Sequence, residues 1–455
     1  MKRDKNGLSL GVLLLLSAII GVAIYLYNSS LFERAVPVIE LHSNDYWNLK
    51  DPLKITIDDN SGVQSYKVTL KTANEQKPLN YEQLLEPLKS LTVSLEPIQS
   101  AYSMKETNIK IIVEATDASK WNFFKGNSTT KVFDLKIDKT KPQVNIVANS
   151  YKITKGGAAL VIFKATDDNL KDIYIQTSFD KVFKVQPFYK EGYYISLLAW
   201  PVTQNSFKAT VVCTDKAGNI TKSYIPLYLK EKSYRSSDIK LRENFLKGKI
   251  AQLAQVFDET QGTENSLEQF KIINEDVRAK NEKLIHEVTS KISDVMIKDF
   301  KINKMYPLKN AQVVANFGDH RKYSYDGQYI SESYHLGLDL ASIAMAEIRP
   351  QNSGDVVYSD FNGLYGNMQI LHHGLGLYTL YGHCSSVNVS RGDFVNKNIN
   401  IANTGKSGYA MGDHLHFGVL VQGLEVRPAE WMDKVWIKLN ITDVIDKSKE
   451  IINRS

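Results

Sequence analysis

Cysteine is nearly absent: among 455 residues only Cys213 and Cys384 carry a thiol. Two thiols cannot form a disulfide framework, and they fall in segments assigned below to different domains, so both read as plain buried residues. Cys384 adjoins His383, but neighbours on a strand point to opposite faces, which argues against a thiol nucleophile. No cysteine follows the N-terminal apolar run, and this excludes a lipoprotein. A large excess of one charge is also missing. The 56 basic and 50 acidic residues leave a net +6, enough for mild attraction to anionic polymers but not a dedicated nucleic-acid surface, so DNA and RNA are set aside as partners. With 43% hydrophobic and 23% charged residues, the chain is neither mainly disordered nor fibrous. Its length exceeds what one hydrophobic core supports, and about three domains are expected.

Long apolar runs are limited to one, Leu8 to Tyr27, LSLGVLLLLSAIIGVAIYLY, which carries no charge. Roughly 20 such residues suffice to cross a bilayer core. Lys2, Arg3 and Lys5 precede it, so the N-terminus is expected in the cytoplasm and the body outside. Small residues at Gly21-Val22-Ala23 are also compatible with a cleaved signal peptide. Apolar IYLY continues beyond them, which favours an uncleaved anchor over residues 1–30.

The body is expected to be mainly β and multidomain. Residues near 36 to 230 contain a weak internal repeat: KITIDDNSGVQSYKVTL from Lys54 and IIVEATDAS from Ile111 correspond to FKATDDNLKDIYIQ from Phe163 and TVVCTDKAGN from Thr210. Each copy pairs an Asp-Asp turn with a later Thr-Asp turn, both after alternating β-branched runs that read as strands. Two copies of this size fit two β-sandwiches, at 36–137 and 140–232. They resemble the immunoglobulin-like modules of bacterial surface proteins. From 237 to 300 the pattern turns helical: Leu241, Phe245, Leu253 and Phe257, then Leu267, Phe270, Ile273, Val277, Leu284, Val288 and Ile292 make an apolar stripe. The break Glu259 to Ser266 predicts a helical hairpin. Such a stripe ordinarily packs into a core; the functional alternative is a regulatory arm that covers a site or docks a partner protein. Fifteen of the 26 glycines lie between Gly318 and Gly423, which indicates tight turns and an all-β domain over 305–435. Residues 436–455 read as a tail.

Seven of the nine histidines lie between His320 and His416. In YHLGLDLA, from Tyr334, a strand reading puts Leu336, Leu338 and Leu340 on one face and His335, Gly337 and Asp339 on the other. In GDHLHFGVL, from Gly412, Leu415, Phe417 and Val419 face inward, and His414, His416 and Gly418 outward. In TLYGHCS, from Thr379, the residues Thr379, Tyr381 and His383 share a face opposite Leu380 and Gly382. A lone histidine on a sheet is usually structural. Several apolar-backed strands each presenting imidazole or carboxylate are a different matter, because an uncompensated cluster of this kind is costly. Zinc favours such ligands, and a catalytic site needs three of them with a position left for water.

The order H-x-x-x-D, then Y-G-H, then G-D-H-L-H-F resembles the lysostaphin-type, or LytM-type, zinc endopeptidases over roughly residues 312 to 432. FGDHRKY from Phe317, HHGLGLYTLYGH from His372, TGKSG from Thr404 and VRPAEW from Val426 agree with it. Carried over residue by residue, the resemblance implies that His335, Asp339 and His416 bind Zn2+ and that His383 and His414 form the catalytic pair. Tyr329 and Tyr381 are candidates to hydrogen-bond substrate. His320, His372 and His373 read as structural. The stretch VNKNINIANTG and the additional His320 depart from the family pattern without touching the metal set.

The resemblance implies a LytM-type peptidase domain hydrolysing peptide bonds in peptidoglycan, and the anchor places it at the inner membrane, single-pass, with the body in the periplasm or cell-wall space. A D,D-endopeptidase acting on cross-links in wall remodelling is the favoured form. The alternative is a non-catalytic scaffold or activator of other cell-wall hydrolases, usually marked by lost zinc ligands. An adhesin would account for the first half of the chain but not for the histidines.

Overall fold

A computed structural model describes residues 10–97 and 107–454. Leu8, Ser9 and the basic residues Lys2, Arg3 and Lys5 lie outside that range. Strand content is 44% and helix content 21%. The apolar run forms one helix, Leu10–Asn28, and its Gly11–Asn28 window is long and apolar enough to cross a membrane.

The chain divides into two compact units. The first runs to Pro142 and takes in the turns Asp167–Lys171 and Thr214–Ile220; the second is the remainder. In the first, six strands hydrogen-bond into one ladder, in the order Val38–His42, Leu53–Lys71, Asn108–Asp117, Ser128–Ile137, Tyr46–Trp47, with Gln76–Leu95 also on Leu53–Lys71. Alternation builds it: Ile109, Ile111, Val113 and Ala115 are buried while Lys110 and Glu114 are exposed. Besides Gln76–Leu95, the long strand serves two partners, pairing through Lys54–Asp58 with Val38–His42 and through Val63–Lys71 with Asn108–Asp117. Its register breaks between Asp58 and Val63. Gly62 sits in that break at φ +92, where a side chain would meet Pro87 Cβ at 2.8 Å, so glycine is required sterically and conformationally.

In the second unit, two four-stranded sheets come first. One orders Val182–Lys184, Leu170–Thr177, Ala209–Asp215, Ile220–Tyr224; the other orders Gln186–Pro187, Tyr193–Ala199, Ala158–Thr166, Gln143–Asn149. Helical stretches follow at 243–254 and 266–289, each interrupted by a π turn, Leu246–Ile250 and Ile273–Val277. Asn265 caps the second, its side chain accepting from the Leu267 and Glu268 N–H groups. Before them Ser236–Lys240 is a strand, parallel to His320–Tyr325. Leu246, Ile250, Phe270, Ile273, Val277 and Ile285 share one core with Tyr323, Met368, Ile370, Tyr378, Leu380 and Leu420, so the helices cover a sheet face.

That sheet has eight strands, ordered Gln312–Ala315, Leu338–Ala341, Leu415–Val421, Leu377–Cys384, Asn367–His372, Gly354–Phe361, Phe394–Val395, with Leu424–Val426 added to Leu415–Val421. The residues expected as a tail are mostly helical instead, ending in Asp443–Arg454. Val444, Ile445, Ser448 and Ile452 are its buried stripe, and it packs on Gln143–Asn149 and Ala158–Thr166. Spacing of three and four places these residues on one helix face.

Candidate metal centre

Asp339 and His416 face each other across the ladder between Leu338–Ala341 and Leu415–Val421, and Gly382 of Leu377–Cys384 is the next partner of His416. His335 arrives differently from the sequence expectation of one continuous strand over 334–341. Gln328–Tyr334 ends in the three-stranded sheet, Leu338–Ala341 begins in the eight-stranded one, and His335 to Gly337 is the crossing. The crossing lets His335 and Asp339 converge.

Three ligand atoms meet there: His335 Nε2 is 3.0 Å from Asp339 Oδ1, His416 Nδ1 is 2.9 Å from the same oxygen, and the two nitrogens are 3.2 Å apart. All three residues are less than a tenth exposed. His335 Nδ1 lies 2.8 Å from the Asn316 carbonyl and can only donate to it, which leaves the Nε2 lone pair directed at the cluster. Lone pairs of two imidazoles and a carboxylate packed together repel unless a proton or a metal cation sits among them. Zinc bonds of about 2.0–2.1 Å separate tetrahedral ligand atoms by roughly 3.3 Å, close to the spacing seen. The donor set therefore fits zinc. Burial alone would raise the Asp339 carboxyl, but His335 and His416 hold it far below the usual carboxylate range. Burial pushes His416 down and outweighs the opposing pull of Asp339, so this imidazole stays neutral, the form that ligates a metal.

His383 and His414 flank the cluster. The His383 ring centre is 4.8 Å from that of His414 and 5.8 Å from that of His416. His383 Nδ1 donates to the Ser407 carbonyl at 2.9 Å, His414 Nδ1 to the Gly412 carbonyl at 2.8 Å, and each keeps Nε2 available. His414 Nε2 lies 3.7 Å from Asp339 Oδ2. Burial, reinforced by His416 and His414, pushes His383 down to about 3. Its backbone is left-handed at φ +64, an uncommon and costly conformation for a non-glycine residue. This corrects the simple alternation. Tyr381 pairs with Phe417 and packs against it at 5.6 Å, whereas His383, two residues on, turns to the His416 side.

Tyr381 is thus not brought to the site: it is 2% exposed and accepts a hydrogen bond from Thr379 Oγ1. Tyr329 is 64% exposed on Gln328–Tyr334 and lines neither cavity at the cluster. Two other tyrosines are nearer. Tyr365 sets its ring edge-on to His416 at 5.4 Å and hydrogen-bonds Glu282; Tyr409 lines both cavities. Neither lies at a strand position whose alternation could have flagged it. His373 is held by Ser353 and Thr379, His372 stacks on Tyr378 and His320 on Tyr334, all structural roles.

A cavity of about 600 Å³ opens beside the cluster, lined by Arg242, Phe245, Arg321, Tyr409, Asp339 and His414 among others. A narrower one of about 60 Å³ is lined by His335, His383, His416 and Arg278 among others. Arg321 lines both, its Nε 3.5 Å from Asp319. A polar substrate carrying carboxylates suits such walls. Cys384 is fully buried on the strand, its thiol pushed up to about 12 by burial, so it is inert at neutral pH.

Residues 333–428 match Peptidase family M23. The peptidoglycan DD-endopeptidase ShyB of Vibrio cholerae serotype O1 is 30% identical over 129 residues, 28% of this chain and 29% of that protein. Stage II sporulation protein Q of Bacillus subtilis is 33% identical over 106 residues, 22% of this chain and 38% of that protein. The chain therefore spans well under half of these relatives' lengths. Among solved structures, the catalytic domain of the antimicrobial peptidase lysostaphin from Staphylococcus simulans is similar at 25% identity, covering 27% of this chain and 92% of that domain, with a TM-score of 0.23.

Proposed function

From the premise that the C-terminal part of the chain is a family M23 peptidase domain, we propose that the protein is a membrane-anchored zinc endopeptidase that cleaves peptide bonds in peptidoglycan. The carrying observation is the convergence of His335, Asp339 and His416 within 2.9–3.2 Å of one another, with two further imidazoles beside them, His414 lining the larger cavity and His383 the narrower one.

His335 Nε2, Asp339 Oδ1 and His416 Nδ1 would hold the ion. Zinc, when bound, supplies a Lewis acid and makes water a competent nucleophile at neutral pH. The remaining work falls to side chains of this chain. His383, kept neutral, offers the Nε2 lone pair to a proton at the reacting centre, while the Ser407 carbonyl fixes its tautomer and tilt. His414, once protonated on Nε2 as well as on the Nδ1 that serves the Gly412 carbonyl, can donate to developing negative charge. Arg242 and Arg321 offer bidentate contacts to substrate carboxylates, and Phe245 and Tyr409 give the cavity apolar walls.

The D,D-endopeptidase form is favoured by the similarity to the peptidoglycan DD-endopeptidase ShyB. Helix Leu10–Asn28 is the proposed single anchor, with the body on the periplasmic or wall side. A non-catalytic scaffold remains the second reading, since one relative is named as a sporulation protein; the presence and convergence of all five residues favour catalysis. Mass spectrometry of defined muropeptides incubated with the protein, with and without a chelator, tests this. Chelator-sensitive release of a cross-linked dimer into monomers supports it, and intact dimers in the presence of a full zinc equivalent refute it.

A further inference from the structure

The Asp-Asp and Thr-Asp turns that mark the internal repeat are not used by the peptidase centre, yet the fold gathers each pair with a third acid. In the first copy Glu33, Asp59 and Asp117 each place a ligand atom within 4.8 Å of the others, and in the second Asp138, Asp167 and Asp215 do the same. The third acid lies five residues ahead of a strand in both cases: Glu33 before Val38–His42, and Asp138 before Gln143–Asn149.

The scaffolding is also repeated. Asp117 Oδ1 accepts from the Asn127 N–H at 2.8 Å and Oδ2 from Asn127 Nδ2 at 2.8 Å, and that amide also donates to the Glu33 carbonyl at 2.9 Å. Asp215 receives the same two bonds from Asn219, at 2.8 and 2.8 Å, and the amide reaches the Asp138 carbonyl at 3.0 Å. Asp59 Oδ1 accepts from the Ser61 N–H, and Asp167 Oδ1 from the Asn169 N–H.

What these bonds leave over points to a ligand. Asp59 is 8% exposed, and its Oδ2 is buried without any hydrogen-bond donor. Asn219 is 3% exposed, and its Oδ1 is likewise buried and unpartnered. Among the described residues no lysine or arginine is ion-paired with Glu33, Asp59 or Asp117. A buried carboxylate oxygen without a donor, on a residue clustered with two further acids, is costly unless a cation is present. Burial and the neighbouring acids raise both Asp59 and Asp167, as expected of carboxylates crowded together without a counter-ion.

We propose that each repeat binds one calcium ion, through Glu33, Asp59 and Asp117 in the first and through Asp138, Asp167, Asp215 and Asn219 Oδ1 in the second. The donors are all oxygen, which suits a hard cation, and three carboxylates with room for carbonyl and water ligands suit calcium's six to eight positions better than the strict octahedron of magnesium. The set contains no nitrogen or sulfur, so it differs in kind from the zinc centre. Each ion would tie the segment leading into a strand to two turns of the same repeat.

Calcium titration of the full-length, zinc-loaded protein in detergent, by calorimetry and by metal analysis after equilibrium dialysis, tests this. Two equivalents should bind with dissociation constants on the order of 10⁻⁴ to 10⁻³ M, as in extracellular modules, and magnesium at equal concentration should not displace them. Asp59→Asn should remove one equivalent and Asp167→Asn the other, because asparagine keeps Oδ1 for the N–H it serves. Glu33→Gln, at a half-buried position, provides a milder second variant of the first site. Zinc content should stay at one equivalent throughout. No calcium uptake by the parent protein, equal displacement by magnesium, or two equivalents persisting in the Asp59→Asn/Asp167→Asn double variant would overturn the proposal.

Discussion

Gly337 and His416 are interlocked: a Cβ on Gly337 would fall well inside contact distance of the His416 Cε1 and Nε2 atoms. The glycine has no positive φ to maintain, so its requirement is purely one of space. Gly337→Ala should therefore leave the fold intact and push His416 away from Asp339. Zinc affinity, measured by competition with a chromogenic chelator, should drop about 10–100-fold, the cost of disturbing a ligand's support. Unchanged affinity would mean that the ring can move without loss.

Ligands and flanking histidines should separate in their effects. Asp339→Ala and His416→Ala should abolish both zinc retention and muropeptide release. His383→Ala and His414→Ala should retain a full zinc equivalent and lower kcat by about 10²–10⁴, the usual contribution of a proton-transferring group. Loss of zinc in His383→Ala would reassign that residue to the metal set.

The contact between helix Arg278–Thr289 and the sheet should weaken as pH rises. Burial raises Glu282 to about 7, with Glu425 adding to the rise and Arg278 and His286 opposing it. His286 is also raised: burial lowers it, but its bond to Glu425 at 2.9 Å prevails. Both groups bind protons more tightly folded than unfolded. Their stabilisation is fully present below the unfolded pKa and is lost as pH climbs through the folded one. For Glu282 the window runs from pH 4.5 to about 7, and the loss is on the order of 3 kcal/mol. Tm by calorimetry should fall between pH 5 and 8, and Glu282→Gln should flatten the fall. A Tm that rises over this interval would contradict the assignment.

The helices are core elements of the second unit. Asn274 Nδ2 donates to Ser331 Oγ at 2.8 Å, and Asn281 Oδ1 accepts from the Leu364 N–H at 2.9 Å, beside Tyr365 and hence His416. Removing residues 237–300 should yield insoluble protein rather than a more active one. Phe270→Ala should cost about 3–5 kcal/mol in denaturant unfolding. A soluble deletion variant with raised turnover would instead support an inhibitory arm.

Much of the site was legible in the chain. The alternation Leu415, His416, Phe417 follows from a two-residue period that any strand obeys. The paired acidic turns of the repeat were equally visible. What alternation could not supply was the break at His335 to Gly337, or the left-handed turn that carries His383 away from the face of Tyr381. Both are local departures from regular geometry imposed by neighbouring strands. Tyr365, Tyr409 and Arg278 reach the cluster from a 3₁₀ turn, a loop and a distant helix, none with a periodic signature.

Residue types, strand periods and motif order are properties of short stretches, and the sequence alone determined those: an apolar helix, β-rich repeats, a helical segment and a histidine-rich β domain. Which strands lie side by side was decided only in three dimensions. Leu415–Val421 sits between Leu338–Ala341 and Leu377–Cys384, although the three are far apart along the chain. Hydrogen bonding and burial summed over the whole sheet select that order, and no local stretch contains enough of either to specify it.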